Sequence, residues 1–67
     1  MTNRIYKKKF ICPVCRKHAF KENYEICPVC GWENDPVQRR DVNFAGGANH
    51  MSVKIARREY KKGNKIS

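Results

Sequence analysis

Apolar residues along this chain come in short bursts, and the period changes once. Phe10 and Ile11 read as a short strand leading into the first cysteine pair. Ala19-Phe20-Lys21 and Tyr24-Glu25-Ile26 then alternate apolar and polar around Glu22-Asn23, the pattern of a β-hairpin running from Lys17 to Ile26. Past residue 50 the period becomes helical. Val53, Ala56 and Tyr60 stand at i, i+3 and i+7, a narrow buried stripe on a helix from Val53 to about Lys62, with Ser52 as its N-cap and Gly63 as its stop. Asp35-Pro36-Val37-Gln38 between them predicts a helix of one or two turns. Asp35 caps it, proline takes the first helical position, and Gln38 stands where a capping box needs it. Val42-Asn43-Phe44-Ala45 runs into Gly46-Gly47, a break. The glycine pair is an ordinary turn, because it lacks the length and the lysine of a phosphate-binding loop. The expected fold is a small α+β domain with a C-terminal helix.

The cysteines give these pieces a centre. All four lie in two copies of one tetrapeptide, Cys12-Pro13-Val14-Cys15 and Cys27-Pro28-Val29-Cys30. Two residues between paired cysteines let one tight turn present both sulfurs to a single ion, and four thiolates make a tetrahedral structural site. Proline after the first cysteine fixes its own φ and removes an N–H that the turn does not use. Gly31 after the second pair supplies a positive φ, whereas Arg16 follows the first pair, so the first turn is expected to be strained or rotated. Two disulfides fit less well, since no apolar leader is visible and cysteines in such a turn do not readily bridge each other. A thioredoxin-like redox pair would need a helix in a βαβ unit, which neither motif opens. Zinc is the expected ion. Iron is its rival, because Cys27-Pro28-Val29-Cys30-Gly31 also looks like half of a rubredoxin site.

Size makes the ion decisive. A chain of 67 residues with 40% hydrophobic residues, cysteines included, is one small domain whose core supplies only about 3–5 kcal/mol. A structural zinc contributes an apparent ~10–16 kcal/mol in small peptides. The formal charge is +9, and four thiolates with a divalent ion lower it by only two charges. Five of the six acids fall between residues 22 and 41, so the positive charge gathers at the two ends. Residues 1–9, with Arg4, Lys7, Lys8 and Lys9, read as a basic and flexible arm, and 10–67 as one zinc-ribbon-like domain. No apolar run has the length of a membrane span, and without a signal-peptide core the expected location is the cytoplasm.

Some single residues carry two readings. His18 is conceivable as a fifth ligand but is better placed as a surface strand residue, since four thiolates fill the site. Trp32, the single tryptophan, is expected to cover the metal site rather than to stack on a base. Asn49-His50 beside an arginine-rich helix suggests a nuclease centre, but one histidine without paired acids is better explained by packing at the start of that helix.

Together these stretches resemble the bacterial cysteine-rich CPCC family. The matching residues are Cys12 to Cys15, Tyr24 through Asp35, Gly46-Gly47-Ala48-Asn49, and Ser52 through Tyr60 with Ala56-Arg57. The resemblance implies a small zinc-ribbon-like domain, often a protein on its own, and brings no established activity. Departures are local. Val14 and Arg16 occupy places where the family's first turn usually has cysteine and then glycine, which removes a spare thiol and speaks against redox chemistry there. Lys54 and Ile55 stand where the family favours an acid, so the capping box of the last helix lacks its acidic partner.

The expected function is a structural-zinc binding module that takes nucleic acid on its basic termini. Lys7, Lys8, Lys9, Arg57, Arg58, Lys61 and Lys62 are the candidate phosphate contacts. The alternative is a protein-interaction or inhibitor module with an acidic protein partner. A small metal-dependent nuclease is the third reading.

Overall fold

In the computed structural model, residues 10–66 are described; the basic arm expected over residues 1–9 lies outside them. The chain runs β1 (Phe10–Ile11), β2 (Ala19–Phe20), α1 (Pro36–Arg40) and α2 (Val53–Lys61). β1 and β2 are antiparallel, with Phe10 opposite Phe20 and Ile11 opposite Ala19.

The expected hairpin from Lys17 to Ile26 does not form. β2 pairs backward with β1, across the first cysteine turn. Tyr24–Cys27 pairs forward with Trp32–Asn34, across the second, through Tyr24 N–H to Asn34 C=O at 2.8 Å, Asn34 N–H to Glu25 C=O at 2.8 Å and Cys27 N–H to Trp32 C=O at 2.9 Å. The physical reason is local. Each cysteine turn brings its own flanks together, so each flank finds its partner across the nearest turn. Residues 21–25 instead make a tight link. The Glu25 carboxylate accepts the N–H groups of Lys21 and Glu22 at 2.9 and 2.8 Å, and Tyr24 takes a φ of 66°.

α1 begins as expected, with Asp35 Oδ1 accepting from Val37 N–H at 2.8 Å and Gln38 N–H at 3.4 Å. The reciprocal half of a capping box is missing, because the Gln38 side chain turns inward and Asp35 N–H donates to Glu33 C=O instead. In α2, Ser52 Oγ accepts from Ile55 N–H at 3.2 Å, and the helix closes in a Schellman turn. There Asn64 N–H reaches Glu59 C=O at 2.9 Å and Gly63 N–H reaches Tyr60 C=O at 3.0 Å, with Gly63 at a φ of 85°. Lys62 caps the helix rather than extending it.

The core is small. Cys12, Val14, Cys15, Phe20, Cys27, Trp32, Val53 and Ala56 are buried together, with Phe10, Cys30, Met51, Tyr60 and Ile66 packed around them. The buried stripe of α2 thus shares one core with the cysteines. Among the described residues, no helix is long and apolar enough to cross a membrane.

Candidate metal centre

The two turns place four sulfurs around one point. Cys12 Sγ lies 3.6 Å from Cys30 Sγ, Cys15 Sγ lies 3.6 Å from Cys27 Sγ, and all four fall within 4.8 Å of one another. A tetrahedral ion with metal–sulfur bonds of about 2.3 Å sets its sulfurs roughly 3.8 Å apart, so the set fits such an ion. Disulfide bonds, at about 2.05 Å, are not present. Both of these 3.6 Å pairs run from one turn to the other, so the ion would join the two turns.

Backbone N–H groups support the thiolates. Lys17 N–H donates to Cys15 Sγ and Val29 N–H to Cys27 Sγ, each at 3.4 Å, and Trp32 N–H serves Cys30. Burial pushes the Cys15 and Cys30 thiols up from the usual thiol range, and the neighbouring thiols add to this. At Cys27 burial acts in the same direction, but the N–H groups of Cys30 and Val29 outweigh it and bring the thiol down. A divalent ion would supply the positive charge that lets four clustered sulfurs ionise together.

The sequence repeat is longer than the cysteine motif itself. Ile-Cys-Pro-Val-Cys occurs at residues 11–15 and again at 26–30. Both copies close with the same bond, Arg16 N–H to Cys12 C=O at 2.9 Å and Gly31 N–H to Cys27 C=O at 2.8 Å. Arg16 takes a φ of 62° where Gly31 takes 88°. The first turn is therefore strained at Arg16, as expected, but its closing bond gives no sign of rotation. The left-handed conformation costs a non-glycine residue about 1–2 kcal/mol, and the closing bond holds it there.

The surroundings of the two copies differ. The first is covered by α2, where Arg57 Nε donates to Pro13 C=O at 2.6 Å, Val14 is buried, and Lys17 Nζ sits 5.9 Å from the centre of the Tyr60 ring. The second is braced from behind by side-chain amides. Asn49 Oδ1 accepts from Glu33 N–H and its Nδ2 donates to Glu33 C=O, both at 2.9 Å, completing the strand edge as a neighbouring strand would. Gln38 holds Asn49 in turn. Its Oε1 accepts from Asn49 N–H at 3.0 Å and Nδ2 at 2.9 Å, while its Nε2 serves the carbonyls of Phe44, Asn49 and Met51. Asn34 Nδ2 donates to Glu22 C=O at 2.8 Å, and its Oδ1 takes the Arg39 guanidinium, which also stacks 3.8 Å from the centre of the Phe10 ring. Gly47 is confined here, since a Cβ would come within 2.6 Å of Asp35 Oδ2. That oxygen accepts Ala48 N–H at 2.9 Å.

The remaining candidates fall as follows. Trp32 is fully buried in the cysteine core, as its covering role requires, and its Nε1 finds no acceptor among the described residues. His18 stands outside the sulfur cluster, 3.6 Å from Glu25 Oε1 and edge-on to Phe20. Asn49 has its amide committed to Glu33 and Gln38, while His50 is exposed. Arg57 spends Nε on Pro13 and is half-buried; Arg58, Lys61 and Lys62 are exposed, Lys62 lying 3.7 Å from Glu59. Lys7, Lys8 and Lys9 lie outside the described residues. Sequence reasoning missed the Gln38–Asn49 brace, and its one available signal was two amide residues flanking a glycine turn.

The four-cysteine centre and its flanking elements are matched by a family profile. Residues 10–64 match the family described as Cysteine-rich CPCC, so the chain belongs to the cysteine-rich CPCC family. A search of the curated proteins finds no match.

Proposed function

We propose that this chain is a zinc-ribbon-like module whose metal is structural and whose basic helix binds nucleic acid. The metal half of the reading rests on the four converging sulfurs, which leave no protein-free position on a tetrahedral ion and so suit a structural rather than a catalytic site. Zinc is preferred over iron, and metal analysis of purified protein together with the absence of visible iron–thiolate colour tests that choice. A cytoplasmic setting, where thiols stay reduced, suits such a site.

The nucleic-acid half rests on the outward face of α2. Lys54, Arg58 and Lys61 are exposed at i, i+4 and i+7, a cationic stripe about 10 Å long, with Lys62 and Lys65 beyond it. Glu59, the acid of the helix, is drawn aside by Asn64 Nδ2 at 2.7 Å and by Lys62. Lys7, Lys8 and Lys9 would add phosphate contacts from the other end of the chain. Such contacts position a protein on the backbone and carry no base specificity.

Binding of the zinc-loaded protein to duplex DNA and to single-stranded RNA, measured across a salt series, tests this directly. Three phosphates neutralised on a duplex give a log–log slope of about −2.7, and Lys54, Arg58 and Lys61 each changed to glutamate should flatten it. Undetectable binding to either polymer at low salt removes the reading.

A further inference from the structure

The repeated pentapeptide is a comparison built into the chain. Its isoleucine is exposed in both copies, so the copies part at valine, proline and the last cysteine. Val14 is 6% exposed and Val29 47%. Pro13 is half-buried and Pro28 exposed; Cys15 is buried and Cys30 half-buried. What covers the first copy is known: an amphipathic helix, α2, that packs apolar side chains on the turn and donates an arginine N–H to the proline carbonyl. The second copy carries the same groups without that cover among the described residues.

Charge says what kind of cover would fit. Between residues 22 and 35 the chain has four acids and no lysine or arginine. Asp35 is buried at the start of α1 and the Glu25 carboxylate is held by Lys21 and Glu22 N–H, which leaves exposed Glu22 and half-buried Glu33 to meet a partner. Glu33 is the bridge partner opposite Ile26, and such paired residues project to the same side. The second turn is therefore an apolar knob on the one acidic stretch of a strongly basic chain. A cationic helix is complementary to it, whereas nucleic acid would be repelled.

We propose that the outer face of the second cysteine turn, formed by Ile26, Pro28 and Val29, docks a basic amphipathic helix of a partner protein in the way that α2 covers the first turn. The helix brings an apolar residue to Val29 and an arginine to the Pro28 carbonyl. This surface is separate from the cationic stripe of α2 and stands whether or not that stripe binds nucleic acid.

The probe is a synthetic peptide of residues 50–66, whose chemistry is that of the known cover, titrated into isotope-labelled, zinc-loaded full chain and followed by amide NMR shifts. Shifts concentrated at Ile26, Val29, Gly31 and Glu33 are expected, weakening with salt. Val29→Ala, which keeps the backbone N–H on Cys27 Sγ and removes only exposed apolar surface, should weaken binding at least about threefold. Shifts confined to the first turn, no shifts at millimolar peptide, or equal binding by Val29→Ala overturn the proposal. So do concentration-dependent shifts at Val29 without peptide, which would make a second copy of the chain the occupant.

Discussion

The two cysteine turns share five residues and one closing hydrogen bond, yet the chain supports them by opposite means. The first is packed in front by an apolar helix and tied to it through Arg57 and Pro13. The second is braced behind by a network of buried amides, Asn49 and Gln38, and left open in front among the described residues. The shared pentapeptide dictates the turn; it does not dictate what surrounds it. A domain this small thus has one four-sulfur centre, one apolar wall and one polar wall. The polar wall is the more demanding, since each of its groups must be satisfied at once.

The largest contrast should come from removing that wall. Asn49→Ala strips Glu33 N–H of its partner, leaves Glu33 C=O with Asp35 N–H alone and Gln38 Oε1 with the backbone N–H of residue 49 alone, which should cost the zinc-loaded protein about 2–3 kcal/mol in urea unfolding. A change under 1 kcal/mol would mean that the metal alone holds the second turn. Next comes the apolar wall. Val14→Ala should cost about 1–2 kcal/mol, while Val29→Ala should change stability by less than about 0.5 kcal/mol, although the two valines occupy equivalent places. Equal effects would erase the distinction between a covered and an open turn.

Asp35 gives a smaller effect with a pH signature. Its carboxyl is held below the usual carboxylate range by the N–H of Ala48, against the opposing effect of burial, with further help from Val37 and Gln38 N–H and from Arg39. A lowered pKa means that its stabilisation is present above the unfolded value near 3.8 and fades as pH falls through the folded one. Asp35→Ala should therefore cost about 1–2 kcal/mol at pH 7. The carboxyl's own NMR titration should show a midpoint below 3.8, and a midpoint above it contradicts the assignment. The smallest effect is at Arg16. Arg16→Gly should raise stability by up to about 1 kcal/mol by relieving its φ of 62°, whereas Gly31→Ala, at 88°, should lower it. Thermal melts of the two variants moving the same way would show that the turns do not share a geometry.

Much of this was legible in the residues, and the reason is chemical. Cysteine spacing, Asp35 before proline, Ser52 before the apolar stripe and Gly63 after it are local instructions, and each is obeyed where it stands. Strand pairing was misjudged because alternation over Ala19–Lys21 and Tyr24–Ile26 marks strands without saying which partner each takes. The Ile-Cys-Pro-Val-Cys repeat, taken with its flanks, held that answer. Gln38 misled for a similar reason. At the third position of a helix it suits a capping box, but its side chain is claimed by residues 44, 49 and 51, which no local pattern reveals. The amide brace is a long-range feature and only the folded chain shows it.

Cobalt titration of the metal-free chain tests the central claim most directly, with thiolate-to-metal absorption and the near-ultraviolet signal of buried Trp32 followed together. One equivalent of ion, four-thiolate tetrahedral bands and a Trp32 signal that appears in step with them are the predicted result. A second equivalent bound to the same sulfurs, or a native Trp32 signal before any metal is added, would contradict it.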